Sequence, residues 1–143
     1  MPDCVLDASF VGMANDEIDN LEPGSILDRR ISIICEIKNG SYTVRYNSRL
    51  LGEYNNLVKV HRNDWIAVFF QILADGATFV NRNNFNAAEL AKARKCRWPL
   101  HDQHVLVAAI NGTKSIVFVT ESTLGRSAAK VLQHFRVRIK HIA

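Results

Sequence analysis

The sequence predicts an α/β fold of three layers, in which helices cover both faces of a mostly parallel sheet. Two observations support this prediction. Short apolar runs with strand composition alternate with longer segments in which apolar residues recur every three or four positions. Parallel strands need crossover connections, and the helical segments between the strands supply them. With 143 residues, the chain is expected to form a single domain, residues 1–143.

In the first half of the chain, apolar runs bounded by turn residues indicate strands, and periodic segments between cap residues indicate helices. The predicted strands are residues 4–9, 41–46 and 77–80. One helix runs from Ile26 to Lys38 and stops at Asn39 and Gly40, a second has an apolar stripe from Leu50 to Val58 after a cap at Asn47 or Ser48, and a third begins at Asn63 or Asp64 and ends at Gly76.

The second half continues the alternation. Residues 84–95 form a weaker helical segment, and residues 102–110 form a strong helix closed by Asn111 and Gly112. Residues 115–119 read as a buried strand, residues 122–133 as a helix despite Gly125, and residues 135–139 as a final edge strand.

The composition of the chain limits the classes of protein to which it can belong. Hydrophobic residues make up 48% and charged residues 22%, which argues against a disordered chain. The opening residues lack a signal-peptide pattern and no run approaches the length of a membrane span, so a cytoplasmic protein is expected. The three cysteines have no CxxC spacing, which favours reduced thiols. The net charge of +4 is concentrated in residues 92–97 and 126–140, a pattern that attracts polyanions such as RNA without requiring that they bind.

Asp102 is the most informative carboxylate. Val105, Leu106 and Ala109 follow it at helical spacing, so its side chain is expected to point inward. A carboxylate facing a core costs several kcal/mol unless a cation, a metal or backbone N–H groups compensate it. The alternative is that Asp102 only caps the first turn of its helix.

Two other acids also lie beside apolar residues. Asp7 ends an apolar strand, where the alternative is an Asx turn, and Glu53 flanks an apolar helix face, where the alternative is an ion pair with Arg49. If the three acids meet at one end of the sheet, they repel unless cations lie between them. Oxygen-only ligands of this kind suit Mg²⁺ or Mn²⁺, and such ions activate water for attack on a phosphodiester.

Four short motifs resemble the PIN-domain ribonucleases, a family that includes toxins of toxin–antitoxin pairs. They are VLDAS at 5–9, SRLLGEY at 48–54, HDQHVLVAAI at 101–110, and TES at 120–122 after strand SIVFV. The resemblance covers nearly the whole chain. It implies a PIN-like fold, a Mg²⁺- or Mn²⁺-dependent endoribonuclease activity on an RNA substrate, an antitoxin partner and a homodimer.

The resemblance also implies roles for individual residues. Asp7, Glu53 and Asp102 would be catalytic metal ligands, and Ser9 and Thr120 would hold water or a phosphate oxygen. The chain departs from the family at one position, because Ser122 stands where the fourth acid is usual. Glu121 is the nearest acid, and alternation along an extended segment predicts that it faces away unless the turn rotates it inward.

Other readings remain open on the sequence alone. A degenerate PIN-like domain would bind RNA or a protein partner without cleaving RNA. A phosphoacceptor domain would use Asp7 as a strand-end nucleophile, but it lacks the expected second acid and distal lysine. A zinc site at Cys96, His101 and His104 matches no usual tetrahedral spacing.

Overall fold

The computed structural model describes residues 1–142, and five parallel strands form its central sheet. The strands are β1 (Asp3–Leu6), β2 (Thr43–Tyr46), β3 (Thr78–Phe79), β4 (Ile116–Val119) and β5 (Arg138–His141). The helices are α1 (Ala8–Ala14), α2 (Ile26–Lys38), α3 (Ser48–Leu57), α4 (Asp64–Asp75), α5 (Ala87–Cys96), α6 (Gln103–Ala109), α7 (Ser122–Arg126) and α8 (Ala128–Phe135), with a 3₁₀ turn at Leu100–Asp102. The predicted α/β class is confirmed.

Both faces of the sheet are covered. On one face, the ring of Phe118 in β4 packs against Phe10 of α1 with centroids 6.2 Å apart, and Tyr42 meets it edge-on. Side chains alternate along a strand, so Val117 and Val119 point to the other face, where both are fully buried. α6 lies against β1, β2 and β4. The chain therefore has the predicted three layers.

The strand order is β3–β2–β1–β4–β5, so the direction of chain progression reverses between β1 and β4. Leu6 at the end of β1 pairs with Phe118 near the end of β4, which brings the exits of the two strands to the same level. In open parallel sheets, ligands bind outside the carboxyl ends of the strands at such a reversal. Receiver-type phosphoacceptor domains have the order 2-1-3-4-5 instead, so the phosphoacceptor reading is not supported.

Several predicted boundaries shift by two or three residues, as where α5 begins at Ala87 rather than residue 84, and three differences have a clear physical cause. The first strand stops at Leu6, because the carboxylate of Asp7 accepts a hydrogen bond from the Phe10 N–H and caps α1, a helix that was not predicted. The predicted helix 122–133 is two helices that meet at Ser127. The last strand begins at Arg138 rather than residue 135, since Arg136 has φ 57° and ends α8.

Packing explains why position 125 in α7 is a glycine. A Cβ atom there would lie 3.1 Å from the Cβ of His141 in β5, so α7 comes close to the edge strand only because this position has no side chain. Within residues 1–142, no helix combines the length and the apolar character that a membrane crossing requires. All three cysteines are free.

Candidate functional site

A pocket of about 180 Å³ lies where β1 and β4 end, at the reversal in strand order. It is lined by Asp7, Ala8, Ser9, Glu53, Leu57, Asp102, Val105 and Glu121. The three acids predicted from the sequence therefore share one pocket, although about 95 residues separate the first from the last. Glu121 joins them.

Asp7 is the most buried of these acids, with 4% of its surface exposed. Its Oδ1 accepts hydrogen bonds from the Ser9 hydroxyl at 2.9 Å and from the Phe10 N–H at 2.7 Å. Burial nevertheless raises its pKa from 3.8 to about 6, and the nearby charge of Glu121 acts in the same direction. The protein thus holds a carboxylate where its charged form is unfavourable.

This burial predicts a pH-dependent cost in stability. An unfolded Asp7 releases its proton near pH 4, whereas the folded one holds it until about pH 6. The contribution of Asp7 to stability is therefore most favourable below pH 4, declines as the pH rises from 4 to 6, and stays lower above that window by about 3 kcal/mol. Asp7→Asn keeps the cap but carries no charge, so in EDTA we expect it to be more stable than the wild type at pH 7 and equal to it at pH 4.

Urea unfolding of both proteins between pH 4 and 8 measures this difference. An equally charged but exposed acid, Asp19, provides the control, and Asp19→Asn should not change the pH profile. If the stability difference between Asp7→Asn and the wild type were the same at every pH, the buried charge of Asp7 would not be its source.

The hydroxyl groups of Ser9 and Thr120 join the two strand exits. Their oxygens are 2.6 Å apart, and Ser9 also donates to Asp7. The two residues predicted to hold water or a phosphate oxygen are therefore neighbours beside the acid. Ser122 is different: it is exposed at the start of α7, and it is Glu121 that lines the pocket. Of the two alternatives for Glu121, its place in the lining of the pocket favours the one in which the turn into α7 brings it to the site, where it remains exposed.

Asp102 is also partly withdrawn from water, with 19% of its side chain exposed. Within residues 1–142, its buried Oδ2 atom has no hydrogen-bond partner, although the ring of the exposed His101 lies 3.2 Å away. Burial raises the pKa of this carboxyl. Asp102 precedes α6 but its side chain makes no capping hydrogen bond, so capping alone does not explain it.

Glu53 does not form the ion pair with Arg49 that the sequence left open. One carboxylate oxygen, Oε1, forms a hydrogen bond with Nε2 of His104 on α6 instead. His104 is fully buried, and its Nδ1 has no partner within the described chain. Sequence reasoning treated His104 only as a zinc candidate, although its position on the apolar face of α6, two residues after Asp102, was a signal that it belongs to the site.

The donor atoms in the pocket suit a hard divalent cation. They are carboxylate and hydroxyl oxygens, and the unpartnered Oδ2 of Asp102 is the kind of buried acceptor that a cation satisfies. Within residues 1–142, however, no three His, Cys, Asp or Glu side chains converge closely enough to hold one ion together. Glu53 is drawn toward His104, which leaves Oε2 as its available donor.

Comparisons with protein-family models, with curated proteins and with solved structures find no match to this chain. The fold and the composition of the pocket therefore carry the functional argument.

Proposed function

We propose that this protein is a Mg²⁺- or Mn²⁺-dependent endoribonuclease. One observation carries the proposal: four acids from distant parts of the chain line one pocket at the carboxyl ends of β1 and β4. Two of them have raised pKa values because of burial, and carboxyl groups with shifted pKa values that gather in one pocket are typical of functional sites. The sequence motifs that resemble PIN-domain ribonucleases contain all four acids, and Asp7, Glu53 and Asp102 stand at positions where the resemblance implies metal ligands.

Each residue of the pocket would have its own role in the reaction. Asp7, Glu53 and Asp102 are the carboxylates that would hold the cation, and Glu121 is a further candidate. Within residues 1–142 no three of them converge on one ion, so binding would have to draw them closer together. A divalent cation bound there supplies Lewis acidity, which makes water a better nucleophile and stabilises charge on the phosphate. Ser9 and Thr120 would orient the attacking water or a phosphate oxygen, because their hydroxyls lie beside Asp7.

A binding protein that does not cleave RNA is the second candidate. It is favoured by the absence of three converging ligands within residues 1–142 and by Ser122 at the position of the expected acid. In that protein, the fold and the basic surface would bind RNA or a protein partner. An antitoxin that covers the pocket, a homodimer and a cytoplasmic location belong to the nuclease proposal as further expectations.

Incubation with structured and single-stranded RNAs in Mg²⁺, in Mn²⁺ and in EDTA distinguishes the two candidates. The nuclease should cleave only with a divalent cation, and its products should lack 2′,3′-cyclic phosphates, because water rather than the RNA 2′-hydroxyl attacks the phosphorus. Cleavage that persists in EDTA and leaves cyclic phosphates would indicate a different enzyme. Binding without cleavage would support the second candidate.

A further inference from the structure

The edge strand β5 and the turn that leads into it from α8 carry a row of basic side chains. Arg136, Arg138 and Lys140 are exposed, whereas Val137 and Ile139 between them are buried. Alternate residues of a strand point to the same side, so Arg138 and Lys140 share one side of β5 and lie about 6.6 Å apart, twice the rise per residue. Arg136 precedes the strand as the C-cap of α8 and lines the same groove as Arg138. We call this row, Arg136, Arg138 and Lys140, the basic track.

Residues 1–142 provide no carboxylate partner for the positive charges of the basic track. Arg136 and Arg138 also line a groove of about 510 Å³ at the start of β4 and β5, together with Lys114. A concave surface with several unpaired cations attracts an anionic polymer.

The other end of the basic track leads to the carboxylate pocket. Lys140 pairs in register with Phe118, which in turn pairs with Leu6, the residue before Asp7. Next to Lys140, Nε2 of His141 donates a hydrogen bond of 2.9 Å to the Thr120 carbonyl. The hydroxyl of Thr120 contacts Ser9 in the pocket. The track thus runs from the groove along the sheet edge to the lining of the pocket.

We propose that the basic track binds the phosphate backbone of single-stranded RNA and guides it to the pocket, an inference that rests on the proposed ribonuclease function. Exposed cations that follow one another along the sheet edge, with no carboxylate paired to them within residues 1–142, fit the continuous negative charge of a nucleic acid backbone better than the mixed charges of a protein surface. Charged side chains on an edge strand also prevent association between sheet edges. If the side chains of the basic track served only to prevent such association, they would not contribute to the affinity for RNA.

Fluorescence anisotropy with a short labelled single-stranded RNA tests the proposal in EDTA, where binding is separated from cleavage. The test variant carries Arg136→Gln, Arg138→Gln and Lys140→Gln. A control variant removes the same charge from exposed positions elsewhere, with Arg29→Gln, Lys38→Gln and Lys59→Gln. Thermal unfolding of both variants checks their folding, and the three single substitutions of the basic track are measured as well.

We expect the track variant to bind RNA at least about tenfold more weakly than the wild type, and its plot of log affinity against log salt to be shallower by about 2, corresponding to three lost phosphate contacts. The control variant should change much less. Equal losses in both variants, unchanged affinity in the track variant, or no RNA binding by the wild type would overturn the proposal.

Binding and cleavage assays on the same proteins test the basic-track proposal and the proposed nuclease function separately. If the track variant loses affinity but the wild type never cleaves RNA in Mg²⁺ or Mn²⁺, the basic track binds RNA and the nuclease proposal fails. If the wild type cleaves RNA with Mg²⁺ and the track variant binds as well as the wild type, the nuclease proposal survives and the track proposal fails.

Discussion

Asp7→Asn should lower the rate of metal-dependent RNA cleavage at least about 100-fold, because interactions with a catalytic metal are worth several kcal/mol in the transition state. The substitution preserves the shape of the side chain and the acceptor that caps α1, but it removes the charge that would hold the cation. The same variant should be more stable than the wild type in EDTA at pH 7, since the buried charge disfavours the folded state.

These opposite effects make the result easy to interpret. A variant that is more stable and inactive has not lost activity through unfolding. Rates are measured with a labelled RNA at saturating Mg²⁺, and stability is measured by urea unfolding of the same preparation. Asp19→Asn serves as the control and should keep both wild-type values. Wild-type activity in Asp7→Asn would remove Asp7 from the proposed mechanism.

Phe118→Ala should lower the free energy of unfolding by about 3 to 5 kcal/mol, the usual cost of deleting a buried ring. Phe118 is 1% exposed in a central strand, and it packs against Phe10 and Tyr42. Its carbonyl also accepts the hydrogen bond from the Asp7 N–H at 3.1 Å. Because small domains have only about 5 to 15 kcal/mol of stability, this variant should be close to unfolding.

The matched substitution Phe79→Ala tests whether burial is the cause. Phe79 is also in a strand, but it is 52% exposed at the edge of the sheet, where it contacts Tyr46. Its loss should cost about 1 kcal/mol. Chemical denaturation measures both variants. Similar losses for the two would show that the contacts of Phe118 do not anchor the sheet as the structure indicates.

The elements that the sequence predicted well are those whose signal is local. α2 and α4 have long apolar stripes between cap residues, and the structure places the caps at Ser25 and Asn63. α1 was missed because its seven residues, ASFVGMA, are too short and too uniformly apolar to show a helical period. Its apolar beginning therefore reads as a continuation of the first strand.

The same distinction between local sequence signals and long-range contacts applies to the candidate site. Asp7, Glu53 and Asp102 were identified because each is an acid beside apolar residues, which one sequence reveals. The hydrogen bond between Glu53 and His104 depends on how α3 meets α6, and the place of Glu121 in the lining of the pocket depends on one turn after β4. Neither has a local sequence signal, so only the folded chain shows them.

The measurement that tests the central claim most directly is cleavage of a labelled RNA by the wild type and by Asp102→Asn in parallel, in Mg²⁺ and in EDTA. Asp102 is chosen because its buried Oδ2 accepts no hydrogen bond within residues 1–142, and its closest basic neighbour is the ring of the exposed His101, 3.2 Å away. We predict cleavage by the wild type in Mg²⁺ alone and none by Asp102→Asn under either condition. Equal cleavage by both proteins, or cleavage by the wild type in EDTA, would contradict the assignment of the carboxylate pocket as a metal-dependent nuclease site.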